Sequence, residues 1–267
     1  MTAKEKYQQG DLQGAIAACV EEVKAKPGDI GARAFFAELL CFNGQLERAD
    51  AQMEAISKLD AAAMTGVAMV RQLARAETAR QQFFAMGRVP EFLTKPSAAM
   101  EKRLLASVEI REHRFPQAAA LLAEAEAARP QLTGTLEGKP FTGLRDLDDV
   151  LAGLLEVLTS TGKYYWVPFE EIESVTFHAP DKPRDLIWRP AELSVKQGAE
   201  GIVYIPALYP ASHKAAADQA RLGRVTEWEQ PPGGPVTGIG QKTLLIGEDA
   251  FPILSISELA ITQGAAT

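Results

Sequence analysis

Residues 143–190 read GLRDLDDVLAGLLEVLTSTGKYYWVPFEEIESVTFHAPDKPRDLIWRP, and the spacing of apolar residues changes within them. Upstream, the sequence is rich in alanine and its apolar residues recur every three to four positions, which is typical of helices. Downstream, it is rich in glycine, proline and β-forming residues. The stretch therefore predicts an α+β chain in which helical repeats are followed by a β-rich half with a mixed or antiparallel sheet.

The first part of this stretch, residues 143–160, predicts a helix that begins the β-rich half. Its apolar side chains recur at three- and four-residue steps, namely Leu144, Leu147, Val150, Leu154 and Leu158. Three aspartates lie in what would be the first turn, where negative charge suits the helix dipole.

Short strands are predicted after residue 162, where aromatic and β-branched residues alternate with turn-forming residues. The candidate strands are residues 164–167, 172–177, 185–189, 191–195, 201–206, 225–228, 236–240, 243–247 and 251–256. Proline residues are expected to end several of them.

The helical half contains an internal repeat. Gly10 and Gly44 are 34 residues apart, and so are Ala15 and Ala49, which is the tetratricopeptide period. A further copy ends the helical half: its alanine, Ala118, follows Ala49 after 69 residues, and His113 takes the place of the turn glycine. We therefore predict two helix pairs, one long helix over residues 65–86, and one further pair.

These patterns predict the organisation of the chain. A tetratricopeptide-like domain covers residues 1–130, a hinge with helix-breaking glycine and proline covers 131–142, and a helix plus β-rich domain covers 143–262. Residues 263–267 are predicted to be a disordered tail.

A concave groove is the predicted partner site of the repeats, because the first helices of stacked pairs line one surface. An amphipathic helix could lay its apolar face in such a groove. The candidate groove residues are Arg33, Phe36, Leu40, Arg71 and Arg75. The alternative is that these arginines only form a solvated face.

A second candidate surface lies in the β-rich half, where arginine, aspartate and tryptophan cluster in sequence. Its residues are Arg184, Asp185, Trp188, Arg189, Asp218 and Arg221. Arginine beside tryptophan can stack and bind carboxylates, so the cluster could form a small-ligand or enzymatic site. The alternative is a set of internal ion pairs, and a ligand site requires these side chains to converge on one cavity.

Composition excludes several classes of function. The net charge of −7 lies entirely in residues 131–267, which argues against nucleic acid and anionic membranes as partners. No metal-ligand spacing or nucleophile motif occurs, so we expect no metal, no cofactor and no catalysis. Two cysteines, no signal peptide and no apolar run long enough to span a membrane favour a cytoplasmic protein.

Several phrases in the second half resemble one known family. They are DLDDVL (146–151), LEVL (155–158), YYWVP (164–168), PRDLIWR (183–189), YIPALYP (204–210) and RLGRVTEW (221–228). They resemble the ImpE family, also called TagJ or SciE. The resemblance implies a non-enzymatic accessory of the bacterial type VI secretion system. It also implies binding to an N-terminal helix of the contractile sheath's small subunit, and thereby an indirect link to the ATPase that recycles the sheath.

Overall fold

The computed structural model describes residues 1–196, residue 198 and residues 200–263. The helices of the first half are α1 Ala3–Gln9, α2 Leu12–Ala25, α3 Ile30–Phe42, α4 Leu46–Leu59, α5 Met64–Met86, α6 Ala98–Arg111 and α7 Phe115–Ala127. Short turns join α1 to α2, α3 to α4 and α6 to α7, and α5 stands alone between the second and third of these pairs. This order confirms the predicted succession of helix pairs. None of the described helices combines the length and apolar composition needed to cross a membrane.

The turns within the three pairs have the same backbone conformation. Gly10, Gly44 and His113 have φ angles of 84°, 68° and 57°. Glycine adopts this left-handed conformation without strain, whereas a residue with a side chain does so at a cost of about 1–2 kcal/mol. The period seen in the sequence therefore reflects a conformational requirement, which His113 meets less favourably than the two glycines.

The second half is built of antiparallel strands. They are β1 Leu132–Leu136, β2 Lys139–Thr142, β3 Leu144–Asp146, β4 Leu154–Leu158, β5 Tyr164–Pro168, β6 Ile172–Phe177, β7 Trp188–Val195, β8 Glu200–Pro206, β9 Thr226–Glu229, β10 Thr237–Gly240, β11 Thr243–Ile246, β12 Asp249–Pro252 and β13 Glu258–Gln263. The largest sheet has the order β2-β1-β13-β6-β7-β8-β4-β5, and smaller sheets join β12-β11-β3 and β10-β9. One short helix, α8 Asp218–Arg221, lies in the connection before β9.

The predicted helix over residues 143–160 is wrong, because this segment forms β3, a tight turn and β4. The carboxylates of two aspartates accept hydrogen bonds from backbone N–H groups that would bond to backbone carbonyls in a helix. Asp146 accepts from the N–H of Asp148, and Asp148 accepts from those of Val150 and Leu151. Such local bonds compete with helix formation. Every residue of β4 is buried, so the strand lacks the alternation that distinguishes a strand from a helix.

The predicted hinge over residues 131–142 is also wrong, because these residues form the β1–β2 hairpin. Strand β1 pairs with β13 along its whole length, from Leu132 with Gln263 to Leu136 with Leu259. The segment is therefore part of the large sheet and does not link two separate units. Apart from Gln263, the predicted tail lies outside the described residues.

Most predicted strands are confirmed, with shifts at two places. The strand predicted over residues 251–256 ends at Pro252 and is followed by a 3-10 turn over residues 253–255, and the other shift is near Trp188. Residues 183–186 form a short 3-10 turn, and β7 runs through Pro190 to Val195 instead of ending at that proline. The strand continues because Pro190 still accepts a hydrogen bond through its carbonyl, from the N–H of His178.

The two halves share one hydrophobic core. The largest cluster of buried side chains contains Leu12, Leu39 and Leu73 from the helices, and it continues into Trp166 and Trp188 of the sheet. A second cluster lies within the β-rich half alone.

The β-rich half also packs on the turns of all three helix pairs. The guanidinium of Arg224 donates to the carbonyl oxygens of Tyr7 and Gln8 beside the first turn. A Cβ built on Gly44 would lie 2.5 Å from the ring of His213, and one built on Gly234 would lie 2.9 Å from Phe115. The repeated turns thus provide a regular docking edge for the second half.

Candidate partner-binding groove

A groove follows one face of α5. The side chains of Arg71, Arg75, Thr78, Gln82 and Ala85 succeed one another at three- and four-residue steps along this face. Two cavities, of about 300 and 520 Å³, meet at Thr78, which lines both. At about 1.5 Å per residue, the distance from Arg71 to Ala85 is about 21 Å, or about four helical turns. We call the two adjoining cavities the α5 groove.

The end of the α5 groove near the C-terminus of α5 is mostly apolar. Its apolar wall is formed by Phe84, Ala85, Met86, Ile110, Val150, Pro210 and Ala211. Met86 is 71% exposed, which is unusual for a large apolar side chain. Gln81, Gln82, Lys214 and Thr237 supply polar groups around this wall. An exposed apolar surface with a polar rim is typical of a protein-binding site.

The opposite end of the α5 groove, between α4 and α5, is charged. It is lined by Leu46, Glu47, Asp50, Arg71, Ala74, Arg75 and Thr78. The guanidinium of Arg71 donates to both carboxylate oxygens of Asp50, at 2.6 and 2.9 Å. Arg75 donates only to the side-chain carbonyl of Gln72, at 3.2 Å, and forms no ion pair with any residue that the structure describes. The positive charge of Arg75 is therefore free to meet a partner.

A buried ion pair fixes α5 against the sheet beneath the groove. Arg80 is 3% exposed, and its guanidinium donates twice to the carboxylate of Glu156 on β4, each time at 2.8 Å. It also donates to the carbonyl oxygen of Leu208 at 2.8 Å. One turn further on, the ring of Phe83 meets Trp166 edge to face at 4.7 Å. These contacts anchor α5 on the sheet.

Glu156 is the centre of this buried network. It also accepts from the hydroxyl of Tyr164 and from the ammonium of Lys242, each at 2.6 Å. Burial by itself would raise the pKa of Glu156, but the charges of Arg80 and Lys242 lower it to about 2. Glu156 is therefore a charged carboxylate at neutral pH, and it neutralises cations from both halves of the chain.

A second buried carboxylate borders the apolar end of the groove. Burial, together with the nearby charge of Asp146, raises the pKa of Asp148 to about 7. Its carboxylate accepts from the backbone N–H groups of Val150 and Gly238, at 2.9 and 3.0 Å. These bonds join the turn after β3 to strand β10, so Asp148 shapes the wall of the groove.

His213 lines the same wall from the β-rich half. Its Nδ1 lies 3.0 Å from the carbonyl oxygen of Pro210, so Nδ1 carries the proton that is donated there. Burial, and to a smaller extent the charge of Lys214, lower the pKa of His213. The imidazole is therefore neutral at physiological pH.

Of the five residues predicted to line the repeat groove, two lie in the α5 groove and three lie elsewhere. Arg71 and Arg75 lie in the α5 groove. Phe36 and Leu40 are 4% and 0% exposed, so their placement on an open surface is wrong: both belong to the hydrophobic core, and the guanidinium of Arg48 on α4 lies over the Phe36 ring. Arg33 lies apart from the groove, donating to the carbonyl oxygen of Pro27 and to Gln52.

The predicted cluster of the β-rich half does not converge on one cavity, so the structure does not assemble the convergence that the alternative of a ligand or enzymatic site requires. Four of its members bind the helical half or each other. Arg184 pairs with Glu38 at 3.1 Å, and the indole of Trp188 donates to Glu77 at 3.2 Å. Asp218 accepts from the N–H of Gln13, and Arg221 pairs with Asp218 and donates to Asn43.

The other two members make contacts within the β-rich half. Asp185 accepts from the N–H groups of Asp181 and Lys182 and thereby caps the turn before β7. Arg189 is 4% exposed, donates to the carbonyl oxygens of His178 and Ile253, and stacks on Phe177 at 4.9 Å. The predicted cluster is therefore structural.

The apolar half of the α5 groove was not predicted from the sequence. Phe84, Met86 and Ile110 come from two helices, and Val150 comes from the turn that was predicted to be a helix. One signal was present, because the helical pattern of residues 65–86 is long and contains no turn motif. A helix that continues past its expected turn leaves part of its surface without a neighbouring helix.

Comparisons with known proteins place the chain among bacterial secretion proteins. A model of the ImpE protein family matches residues 138–260. The chain is 34% identical over 259 residues to the type VI secretion system accessory component TagJ of Pseudomonas aeruginosa PAO1, and the match covers 97% of this chain and 90% of that protein. The crystal structure of a Vibrio parahaemolyticus protein superposes on this chain with a TM-score of 0.92 at 29% identity, covering 98% of both chains.

Proposed function

Since the chain belongs to the ImpE family, we propose that it is a non-enzymatic accessory protein of the type VI secretion system. It acts in the cytoplasm and holds an N-terminal helix of the small subunit of the contractile sheath in the α5 groove. Through that subunit it is linked indirectly to the ATPase that recycles the sheath. No nucleic acid, membrane insertion or cofactor takes part.

One observation carries this proposal: the α5 groove has the length and the surface of a helix-binding site. An amphipathic helix of about four turns matches its length of about 21 Å. Helix-in-groove recognition requires apolar anchors at successive turns and polar groups beside them. The apolar wall around Phe84, Met86 and Ile110 can accept such anchors, while Arg75 offers a charged contact at the other end.

The proposal is tested by titrating a labelled peptide, with the sequence of the sheath small subunit's N-terminal helix, against the full-length protein. Fluorescence anisotropy reports the binding. Ala85 is exposed on α5 within the groove, whereas Ala120 is exposed on α7 and is not among the groove residues. Ala85→Arg should weaken binding at least tenfold, because the long side chain occupies the space of the peptide, and Ala120→Arg should leave it unchanged.

Each outcome decides between the groove and other surfaces. Saturable binding that is lost only in Ala85→Arg supports the proposal. Binding that is equally strong in both variants would place the helix elsewhere on the molecule. An absence of saturable binding to the unmodified protein would rule out the sheath small-subunit helix as the partner.

A further inference from the structure

The repeat period extends through a position where no turn is formed. Gly10 and Gly44 mark the first two turns, and the same 34-residue step leads to Thr78. His113, the last turn, follows Thr78 after 35 residues. Thr78, however, lies in the middle of α5, which continues to Met86. The third repeat therefore has its first helix but no second helix folded back upon it.

The chain after α5 does not fill the missing position. Residues 87–97 run to the edge of the large sheet, where Glu91 exchanges backbone hydrogen bonds with Tyr164 and Trp166. Helix α5 meets α6 near its C-terminal end, where the guanidinium of Arg111 donates to the carbonyl oxygen of Phe83 at 3.1 Å. Within residues 1–130, all of which are described, no helix lies in sequence between α5 and α6.

The residues where a second helix would pack can be identified from the other repeats. On the first helices, Ala3, Ala37 and Ala106 recur at steps of 34 and 69, and all three are 0% exposed. The same period puts Arg71 at the equivalent position of the third repeat, in the charged half of the α5 groove. The charged half of the α5 groove, up to Thr78, therefore coincides with the face on which a second helix would lie, and the apolar half continues that face beyond the turn position.

We propose that the charged half of the α5 groove is the vacant second-helix position of the third repeat, and that a helix of the partner fills it and extends past Thr78 into the apolar half. This helix runs antiparallel to α5. It is apolar in its N-terminal half and acidic in its C-terminal half. The proposal rests on the proposed function for the identity of the partner, and it adds the direction and chemistry of the bound helix.

The direction follows from the other pairs and from charge. A second helix that follows a short turn runs back along the first, so its N-terminus lies near the C-terminal end of the first helix. In the third repeat the turn position is Thr78, so a partner helix that extends past this position places its N-terminal half against the apolar wall around Met86. The C-terminal end of the bound helix then lies at Arg75, whose cation, unpaired within the described part of the chain, favours the negative end of a helix dipole and an acidic side chain. Glu47 and Asp50 line the same end, and Asp50 already pairs with Arg71.

The chemistry differs from that of the chain's own second helices in one respect. In α2, α4 and α7 a small residue, Ala15, Ala49 or Ala118, is buried at the equivalent place. In the third repeat the residue of α5 that would face this place is Arg71, where the other first helices have alanine. Arg75, one turn later, lacks an ion-pair partner among the described residues. A carboxylate on the bound helix can pair with Arg75, which a small apolar residue cannot do.

The test uses two synthetic alanine-based helices of about four turns and identical composition. The forward peptide has leucine on one face of its N-terminal half and glutamate on the same face of its C-terminal half, and the reversed peptide has the opposite order. Both are titrated against the full-length protein by anisotropy. Arg75→Glu reverses the groove charge, and Lys4→Glu makes the same change at an exposed site on α1.

The forward peptide should bind roughly tenfold more tightly than the reversed one, as expected for a matched close charge pair. Arg75→Glu should remove this preference and Lys4→Glu should keep it. Equal binding, a preference for the reversed peptide, no binding of either, or a preference unaffected by Arg75→Glu would overturn the proposal.

A second measurement reads the direction of the helix. Met64 and Val89 are exposed beyond the two ends of the groove, and both native cysteines are buried, so Met64→Cys and Val89→Cys can be labelled selectively. Energy transfer from the peptide N-terminus should be stronger to position 89 than to position 64. The opposite result overturns the antiparallel direction. If the sheath peptide binds and the forward peptide does not, the proposed function stands and this inference fails. If the forward peptide binds and the sheath peptide does not, this inference about the groove stands and the proposed sheath partner fails.

Discussion

Replacing Glu156 with glutamine removes the charge at the centre of the contact between the helical and β-rich halves. The side chain is 0% exposed and accepts hydrogen bonds from Arg80, Tyr164 and Lys242. Glutamine has nearly the same shape, so the substitution tests the charge and leaves little cavity. Two buried cations, Arg80 and Lys242, then lose the carboxylate that they share and keep only their longer ion pairs, with Glu77 at 3.2 Å and with Asp146 at 3.9 Å.

Two routes give a similar magnitude for this loss. The pKa of Glu156 falls from its ordinary 4.5 to about 2 in the folded protein, and each pKa unit corresponds to about 1.4 kcal/mol, which gives roughly 3 kcal/mol at neutral pH. Breaking one side of a buried ion pair costs about 3–5 kcal/mol. Because the folded pKa is depressed, this stabilisation is present above pH 4.5 and is lost as the pH falls towards 2.

The assay is urea unfolding at pH 7, followed by tryptophan fluorescence and by circular dichroism in the far ultraviolet. Trp166 and Trp188 are buried in the core that both halves share, so the fluorescence reports the contact between the halves. Glu156→Gln should lower the free energy of unfolding by about 3 kcal/mol. Glu54→Gln is the control, since it removes one partner of an exposed ion pair with Lys58 and should have no measurable effect.

The result that would refute the reasoning is a change in free energy of less than about 1 kcal/mol for Glu156→Gln. Such a value would mean that water or a rearranged side chain compensates the two cations. A fluorescence transition well separated from the circular dichroism transition would also contradict the inference that the halves unfold together through their common core.

Two further predictions concern the repeat turns and the groove wall. His113→Gly should raise the free energy of unfolding in urea by about 1 kcal/mol, because glycine adopts the left-handed backbone conformation without its cost. The substitution loses only an edge contact with Phe115. His113→Ala keeps the strained backbone and should therefore give no gain in stability. The pKa of Asp148 is raised to about 7, so its contribution to stability is full below pH 3.8 and is lost as the pH rises through 7. Asp148→Asn should therefore be less stable than the unmodified protein at pH 5, where it loses the bond to Gly238, and should recover relative stability at pH 8; a constant difference between the two pH values would contradict the assignment.

The helix pairs could be predicted from the sequence because their signals are local. The step between Gly10 and Gly44 reflects a backbone conformation that glycine adopts most easily, and the alanines five residues later lie where two helices cross closely. Strands β5 and β6 were predicted correctly for the same reason. Their aromatic and β-branched residues are flanked by a glycine, a proline or a tight turn.

The segment that forms β3 and β4 could not be assigned from its pattern. A strand buried on both faces has no alternation of polar and apolar residues, so its leucines also match a helical spacing. The aspartates that suggested a helix N-terminus instead form hydrogen bonds within a turn. The outcome depends on neighbours supplied by distant parts of the chain, such as β8 on one edge of β4 and α5 on one face.

The candidate site shows the same division between local and distant information. Arg71 and Arg75 were found on the groove because one helix presents both, and helical spacing is visible in sequence. The apolar wall joins α5, α6 and two loops of the β-rich half, and the partners of Arg184 and Trp188 lie more than 100 residues away. Periodicity reveals which residues share a face of one element, whereas the packing of elements determines which faces meet and which surface remains open to a partner.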